Sequence, residues 1–407
     1  MAPATARIPN EEWFLGVFMT TPPSGPGHRL LSSILRHDAK QNSYKFALLR
    51  ALNDVVLAYP DVRHGERPIA VPVRRLAEAW LAYYWPFMAV GNEIMQGPRA
   101  KRGGQLRNDM AFRPSLRDLR ARWEAMFGHS AAGDGWMLVE QMRVPRLRDP
   151  FDATFRTAYR ATVRKIADAV RQPLQYAGEG EWSVFTKPRR ANTLPPSTWL
   201  PGTRPNDACT LVQPSLWNAF RDVSLWVEAL AIHEWSLFTA RVGDVPRGEA
   251  YERLTERPDG VRLPVTWERN EVVVQMLEGR MYRCPWSGKR LSPDRFQLDH
   301  IVPVSIHPFH ELWNLVPADP ATNMHVKRAR LPSATVLRKA SPILTESYRN
   351  YAASDGLAGA LIDDVARRFR LPHPPQSIQP EAITHAVIDL TTNVAELRHV
   401  AQFDKHT

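Results

Sequence analysis

Over several stretches of this 407-residue chain, apolar residues recur at intervals of three and four, the spacing that places them on one face of a helix. From Ser43 to Tyr59 the stripe is Phe46, Leu49, Leu52 and Val56, closed by Pro60. Arg74 to Trp85 forms a second helical run stopped by Pro86, and about Ser115 to Phe127 a third. Phe151 to Val170 separates two faces, with Phe155, Tyr159, Val163, Ile166 and Val170 on one and Arg156, Arg160 and Arg164 on another. Ser215 to Val242 reads as one helix, apolar on much of its circumference and therefore buried. Gly178 to Pro205, rich in Gly, Pro, Thr and Asn, reads as irregular structure or short strands. No period of about 20 to 50 residues repeats, which sets solenoids and propellers aside. The expected fold class is mainly α.

Length and composition narrow the function classes. A chain of this size buries a sizeable core and divides into more than one unit. The 44% hydrophobic and 23% charged fractions exclude a disordered, collagenous or coiled-coil protein. Cys209 and Cys284 are the only two cysteines, so at most one disulfide forms and no four-cysteine zinc knuckle can. A reducing cytoplasm is the expected location. No run of about 18 apolar residues occurs, and the short run Trp13 to Met19 follows Glu11 and Glu12 where a secretion signal carries positive charge, so no membrane association is expected.

The formal net charge of +11 favours a polyanionic partner, nucleic acid above all, although an arginine-heavy composition alone produces the same surplus. The stripe Arg156, Arg160, Arg164 fits a phosphate backbone or a solvated face, and so does the small basic loop from Gly97 to Gly104.

The chemistry concentrates between Cys284 and Pro332. Phe296 to Val304 partly alternates apolar and polar residues, as a short strand does, with Asp299 and His300 adjacent and on opposite faces. After a loop containing Pro308, Trp313 to Val316 returns as a partner strand. Pro320 then opens a polar helix carrying Asn323, His325, Lys327 and Arg328. The pattern is strand, strand, helix.

This constellation resembles the HNH endonuclease family, in a subgroup without zinc cysteines. The resemblance rests on Asp299-His300 in a strand before Pro303, Asn314 opening an Asn-Leu-Val strand, and Asn323 nine positions later. Trp286-Ser-Gly-Lys289 upstream and Lys327-Arg-Ala-Arg-Leu-Pro332 downstream match the same subgroup, and the match covers about Glu271 to Ser333. It implies a small ββα-metal nuclease module that hydrolyses DNA with Mg²⁺ or Mn²⁺. His300 would be the general base, Asp299 and Asn323 the metal ligands, Asn314 the brace that aims His300, and Lys327 with Arg328 the phosphate contacts. Imidazole suits the base because it titrates near neutral pH, and hard oxygen donors suit Mg²⁺. The family often has His where Asn323 stands, and His325 points about 200° away from it on an α-helix. Cys284 reads as packing, and His307 and His310 as exposed loop residues.

The implied organisation is a mainly helical N-terminal region, 1–264, that binds substrate or a protein partner or second copy; the HNH module, 265–335; and a helical C-terminal extension, 336–407. Such nucleases occur in restriction, anti-phage defence and mobile elements. One rival is a nucleic-acid-binding protein whose nuclease module is inactive. Another is a zinc-dependent hydrolase: His310-Glu-Leu-Trp-Asn314 begins like a zincin signature, but Asn314 stands where the second His belongs and Pro308 argues for a loop.

Overall fold

The computed structural model describes residues 25–36, 42–62, 65–89, 94, 101–102, 105–106, 110–243, 245–256, 265–307, 310–371 and 379–404. The described residues are mostly helical with small sheets, as the periodicity implies. The described residues begin with α1 (Pro26–Arg36), α2 (Tyr44–Ala58), β1 (Ile69–Pro72) and α3 (Val73–Tyr84), then a two-strand ribbon of β2 (Lys101–Arg102) and β3 (Gln105–Leu106). Helices α4 (Arg113–Phe127), α5 (Asp134–Arg143), α6 (Pro145–Arg148) and α7 (Ala153–Gln175) follow. Strands β4 (Arg189–Arg190), β5 (Thr198–Trp199) and β6 (Ala208–Val212) join β1 in a sheet of order β4-β6-β1-β5, and α8 (Pro214–Asp222), α9 (Ser224–Val242) and α10 (Arg247–Thr255) complete this part.

One apolar core runs through these elements, from Leu31 to Leu254. Its centre is α3, whose Leu76, Trp80 and Tyr84 are fully buried beneath α2, α5 and α7. Each such side chain contributes roughly 1.5–3 kcal/mol by leaving water. Helix α7 starts where the Asp152 carboxylate accepts the Phe155 amide at 2.6 Å, and its expected stripe of Phe155, Tyr159, Val163, Ile166 and Val170 is buried.

Two expectations need correction here. Ser215 to Val242 is not one helix: Val223, at φ −123° and ψ 27°, separates α8 from α9. Nor is it buried all round, because only one flank of α9 meets α2 and α10. Val227, Ala231, Trp235 and Phe238 face inward, while Leu225, Leu230 and Leu237 are exposed and Trp226 is 77% exposed. Of the basic loop Gly97 to Gly104, all but the two residues of β2 lies outside the described residues.

A second core, from Val272 to Phe403, gathers α11 (Thr266–Leu277), β7 (Gln297–His300), β8 (Leu315–Ala318), β9 (Leu331–Pro332), α12 (Ala334–Ala352), α13 (Leu357–Arg368), α14 (Pro380–Arg398) and β10 (Gln402–Phe403). The C-terminal helices therefore share an interior with the hairpin. From α12, Tyr348 donates to the Trp313 carbonyl at 2.6 Å and Tyr351 to the Leu315 carbonyl at 3.1 Å, tying the second strand to the helix behind it. No helix among the described residues is long and apolar enough to cross a membrane.

Buried charges join the two cores. Arg146 reaches Asp364 at 3.0 Å and Glu268 at 3.5 Å, and Arg368 reaches Asp61 at 2.9 Å. Glu140 on α5 is also buried, and burial reinforced by the Glu311 carboxylate pushes its pKa up to about 7. Between the ordinary value of 4.5 and 7, the folded state holds a proton that the unfolded chain has lost, so stability rises as pH falls through 7 and levels off below 4.5. Glu140→Gln is accordingly expected to stabilise the protein by on the order of 1–3 kcal/mol at pH 8 and to make little difference at pH 5. Urea unfolding of both proteins at the two pH values checks this, and an equal effect at each would refute it.

Candidate active site

The strands β7 and β8 pair antiparallel in the register Gln297↔Ala318, Leu298↔Pro317, Asp299↔Val316 and His300↔Leu315. Alternation puts Gln297 and Asp299 on one face and His300 on the other. Asp299 is buried. Its Oδ2 accepts the Trp286 indole N–H at 2.8 Å and its Oδ1 lies 3.1 Å from the Lys327 ammonium. Burial raises the Asp299 carboxyl above its ordinary range, against the opposing pull of Lys327 and Trp286.

His300 faces elsewhere. Its Nε2 lies 2.6 Å from Nδ1 of His310, so one imidazole donates its N–H to the other. Burial first, then His310, Lys327 and His307, lower its pKa to about 3, which keeps the ring neutral at pH 7. A neutral imidazole is the form that accepts a proton.

Asn314, fully buried, fixes the start of the intervening loop. Its Oδ1 accepts the Val302 amide at 2.8 Å, its Nδ2 donates to the Val302 carbonyl at 3.0 Å, and its own carbonyl accepts the Ile301 amide at 2.8 Å. Leu312 is held from behind, its amide donating to Asp364 at 2.9 Å. Upstream, the turn Cys284 to Gly288 closes through a Gly288 amide bond to the Cys284 carbonyl at 2.8 Å, with Gly288 at φ 70°. That turn seats Trp286 under Asp299, and Cys284 is fully buried in the second core.

After β8 the chain makes a wider turn than the expected α-helix. Asp319 accepts both the amide and the hydroxyl of Thr322, at 3.0 and 2.8 Å, and Thr322–Lys327 then forms a π-helical turn ending in an Arg328 amide bond to the Asn323 carbonyl. Asn323 and Lys327 both meet the Gln297/Asp299 face of β7, Asn323 donating to Gln297 at 3.4 Å. His325 and Arg328 are exposed. The place of Lys327 differs from that of a phosphate contact: it is 1% exposed and its ammonium is committed to Asp299.

Residues 284–333 match the HNH endonuclease family, and residues 24–254, more than half of the chain, match a domain of unknown function, DUF8808. The chain belongs to the DUF8808 family and carries, beyond that match, a segment similar to HNH endonucleases. No curated protein and no solved structure matches it.

The donor set of the HNH segment suits a hard divalent cation. Asp299 is a buried carboxylate already holding a cationic group, and the side-chain amides of Asn323 and Gln297, joined Nδ2 to Oε1 at 3.4 Å, lie on the same face. Among the described residues no group of three or more His, Cys, Asp or Glu side chains gathers as a metal site.

Within the HNH resemblance neither Trp286 nor His310 carries a catalytic or metal-binding role. A buried indole needs an acceptor for its N–H, so Trp286 was findable in principle; the meeting of His310 with His300 depends on how the loop folds back. His307 and His310, expected as exposed loop residues, are both half-buried: His310 lies on His300, and His307 pairs with Glu311 at 2.8 Å and lies against Trp313 at 5.1 Å between ring centroids. Arg160 and Arg164 are exposed on α7, whereas Arg156 is half-buried with Asp149 at 3.8 Å.

Proposed function

We propose that this protein is a metal-dependent endonuclease that hydrolyses phosphodiester bonds in DNA. The observation that carries the reading is the divergence of two consecutive residues on β7: Asp299 turns to a buried cation on the face that Asn323 shares, and His300 turns to a second imidazole. In this reading Asp299 and Asn323 hold Mg²⁺ or Mn²⁺, which supplies Lewis-acid stabilisation of the charge developing on the phosphate. Neutral His300 takes the proton of the attacking water, and His310 fixes which of its nitrogens is free to do so. Asn314 holds the loop that follows, and exposed Arg328 meets a neighbouring phosphate. The N-terminal region, 1–264, positions substrate or a partner for the module at 265–335, with 336–407 as its helical extension.

Incubating supercoiled plasmid with the purified protein and Mg²⁺ is expected to yield nicked or linear product, and EDTA is expected to stop it. The Lys327 ion pair on Asp299 favours a second reading, a module that binds nucleic acid without cutting it. Binding with no cleavage at any Mg²⁺ or Mn²⁺ concentration would select that one.

The same reading assigns phosphate contacts outside the module to Arg156, Arg160 and Arg164. Replacing all three with glutamine in a cleavage-blocked His300→Ala background is expected to weaken DNA binding at low salt. The salt slope is expected to fall by about one unit for each phosphate that an arginine no longer neutralises. Affinities at several salt concentrations check this; an unchanged slope removes α7 from the DNA-binding surface.

A further inference from the structure

Between the two cores lies a cavity of ≈ 430 Å³, within the size range of small-molecule sites. Its walls come from α2, α3 and α5 on one side and from the loop after β7, α13 and α14 on the other. Asp299, His300 and Asn323 do not line it, so it is separate from the candidate active site. Five arginines and three carboxylates do, beside an apolar wall that includes Trp136, Trp313, Leu390 and Val394.

Most of these charges are already engaged. Arg143 reaches Glu78 at 2.8 Å, Arg368 reaches Asp61 at 2.9 Å, Arg367 holds Asp364, and Glu311 holds His307. Arg75 is different. Its side chain is only 10% exposed, yet its one ion pair is a long contact of 3.9 Å to Glu78, a carboxylate that Arg74 and Arg143 hold at 3.0 and 2.8 Å. Among the described residues its guanidinium makes no hydrogen bond; one end leans toward Glu78 and the other lies beside Gly202, which leaves N–H donors open to a ligand at the cavity wall. Burial lowers its pKa from the usual range, the mark of a cation short of anions. A planar fork of donors shielded from bulk water is the group that phosphate and carboxylate match best.

The cavity also touches the loop that aims the candidate base. Arg398, on its wall, donates to the Ile306 carbonyl at 3.2 Å, and the same loop carries His310 to within 2.6 Å of His300. A ligand anion that draws on Arg398 competes with that carbonyl.

We propose that the cavity binds an anionic small molecule with a planar aromatic body, the class of a nucleoside monophosphate, with its phosphate on Arg75 and a face of its base against the apolar wall around Trp136. Its occupancy changes the loop from Val302 to His307. The binding stands whether or not the protein cuts DNA; only the consequence for cleavage rests on the nuclease reading.

The test is calorimetric titration of the full chain, in EDTA, with AMP, CMP, GMP and UMP, and separately with inorganic phosphate. At least one nucleotide is expected to bind one per chain, tenfold or more tightly than phosphate, and Arg75→Gln and Arg398→Gln are each expected to weaken it tenfold or more. Absence of binding, equal affinity for phosphate, or binding that survives Arg75→Gln overturns the proposal. Hydrogen exchange on the wild type covers the case in which a variant does not fold: slowed exchange at 302–307 and around Arg75 on adding nucleotide is the expected result, and protection elsewhere overturns it. Because EDTA removes the metal that cleavage requires, failure here and failure of the plasmid assay are separate outcomes.

Discussion

His300→Ala is expected to cut plasmid about 10² to 10⁴-fold more slowly than the wild type while binding DNA with similar affinity, the loss that follows removal of a general base. Base catalysis acts on the transition state, so ground-state binding has no reason to change. Stability is also expected to change little, because His300 is half-buried and its ring's hydrogen-bonding partner among the described residues, His310, retains other interactions. Single-turnover cleavage and a binding isotherm in EDTA measure the two quantities. A variant that nicks at the wild-type rate would remove His300 from the mechanism, and one that loses binding in the same proportion would make it a contact.

Lys327→Met is expected to lower unfolding free energy in EDTA by about 3–5 kcal/mol, the usual loss when one partner of a buried ion pair is removed. The cause is the 3.1 Å pair with Asp299, in which both side chains are almost wholly buried. Mg²⁺ is expected to restore much of that stability by taking the ammonium's place beside the carboxylate, and linkage makes the recovery grow with metal concentration. The Mg²⁺ concentration for half-maximal cleavage should fall, since the competing cation is gone. The pH dependence has a definite sign: burial already raises Asp299, and losing Lys327 raises it further, so in EDTA the variant gains stability as pH falls. Thermal unfolding with and without Mg²⁺ decides it. If the variant melts like the wild type in EDTA and ignores Mg²⁺, Lys327 does not occupy the cation's place.

The same pair governs how Asp299 should be probed. Asp299→Ala would strand a buried ammonium and lose stability for reasons unrelated to metal. Asp299→Asn keeps one acceptor, enough for Trp286 or Lys327 but not both, and loses the same charge, so its metal binding is compared with its stability in EDTA.

What the sequence determined by itself is what depends on short separations. The three-and-four spacing of Phe155, Tyr159, Val163 and Ile166 selects the buried face of α7, because residues at that interval share one side of a helix. Period two puts Asp299 and His300 on opposite faces of β7, and the returning strand at Leu315 follows from a second short apolar run. The tertiary structure alone decided which groups these side chains meet. Trp286, Lys327 and His310 reach Asp299 and His300 across 10 to 28 residues of intervening chain, and no local pattern encodes those distances. It also decided that Lys327 points inward. The π-helical turn begun by Asp319 carries Lys327 to the face of β7 that holds Asp299, whereas a polar helix taken in isolation leaves a lysine in water. Trp226 shows the opposite case. Apolarity alone predicts burial, but a side chain leaves water only where another surface covers it, and α2 and α10 cover the other flank of α9. The cavity around Arg75 has the same origin: its walls come from segments more than 300 residues apart, brought together by packing of the two cores.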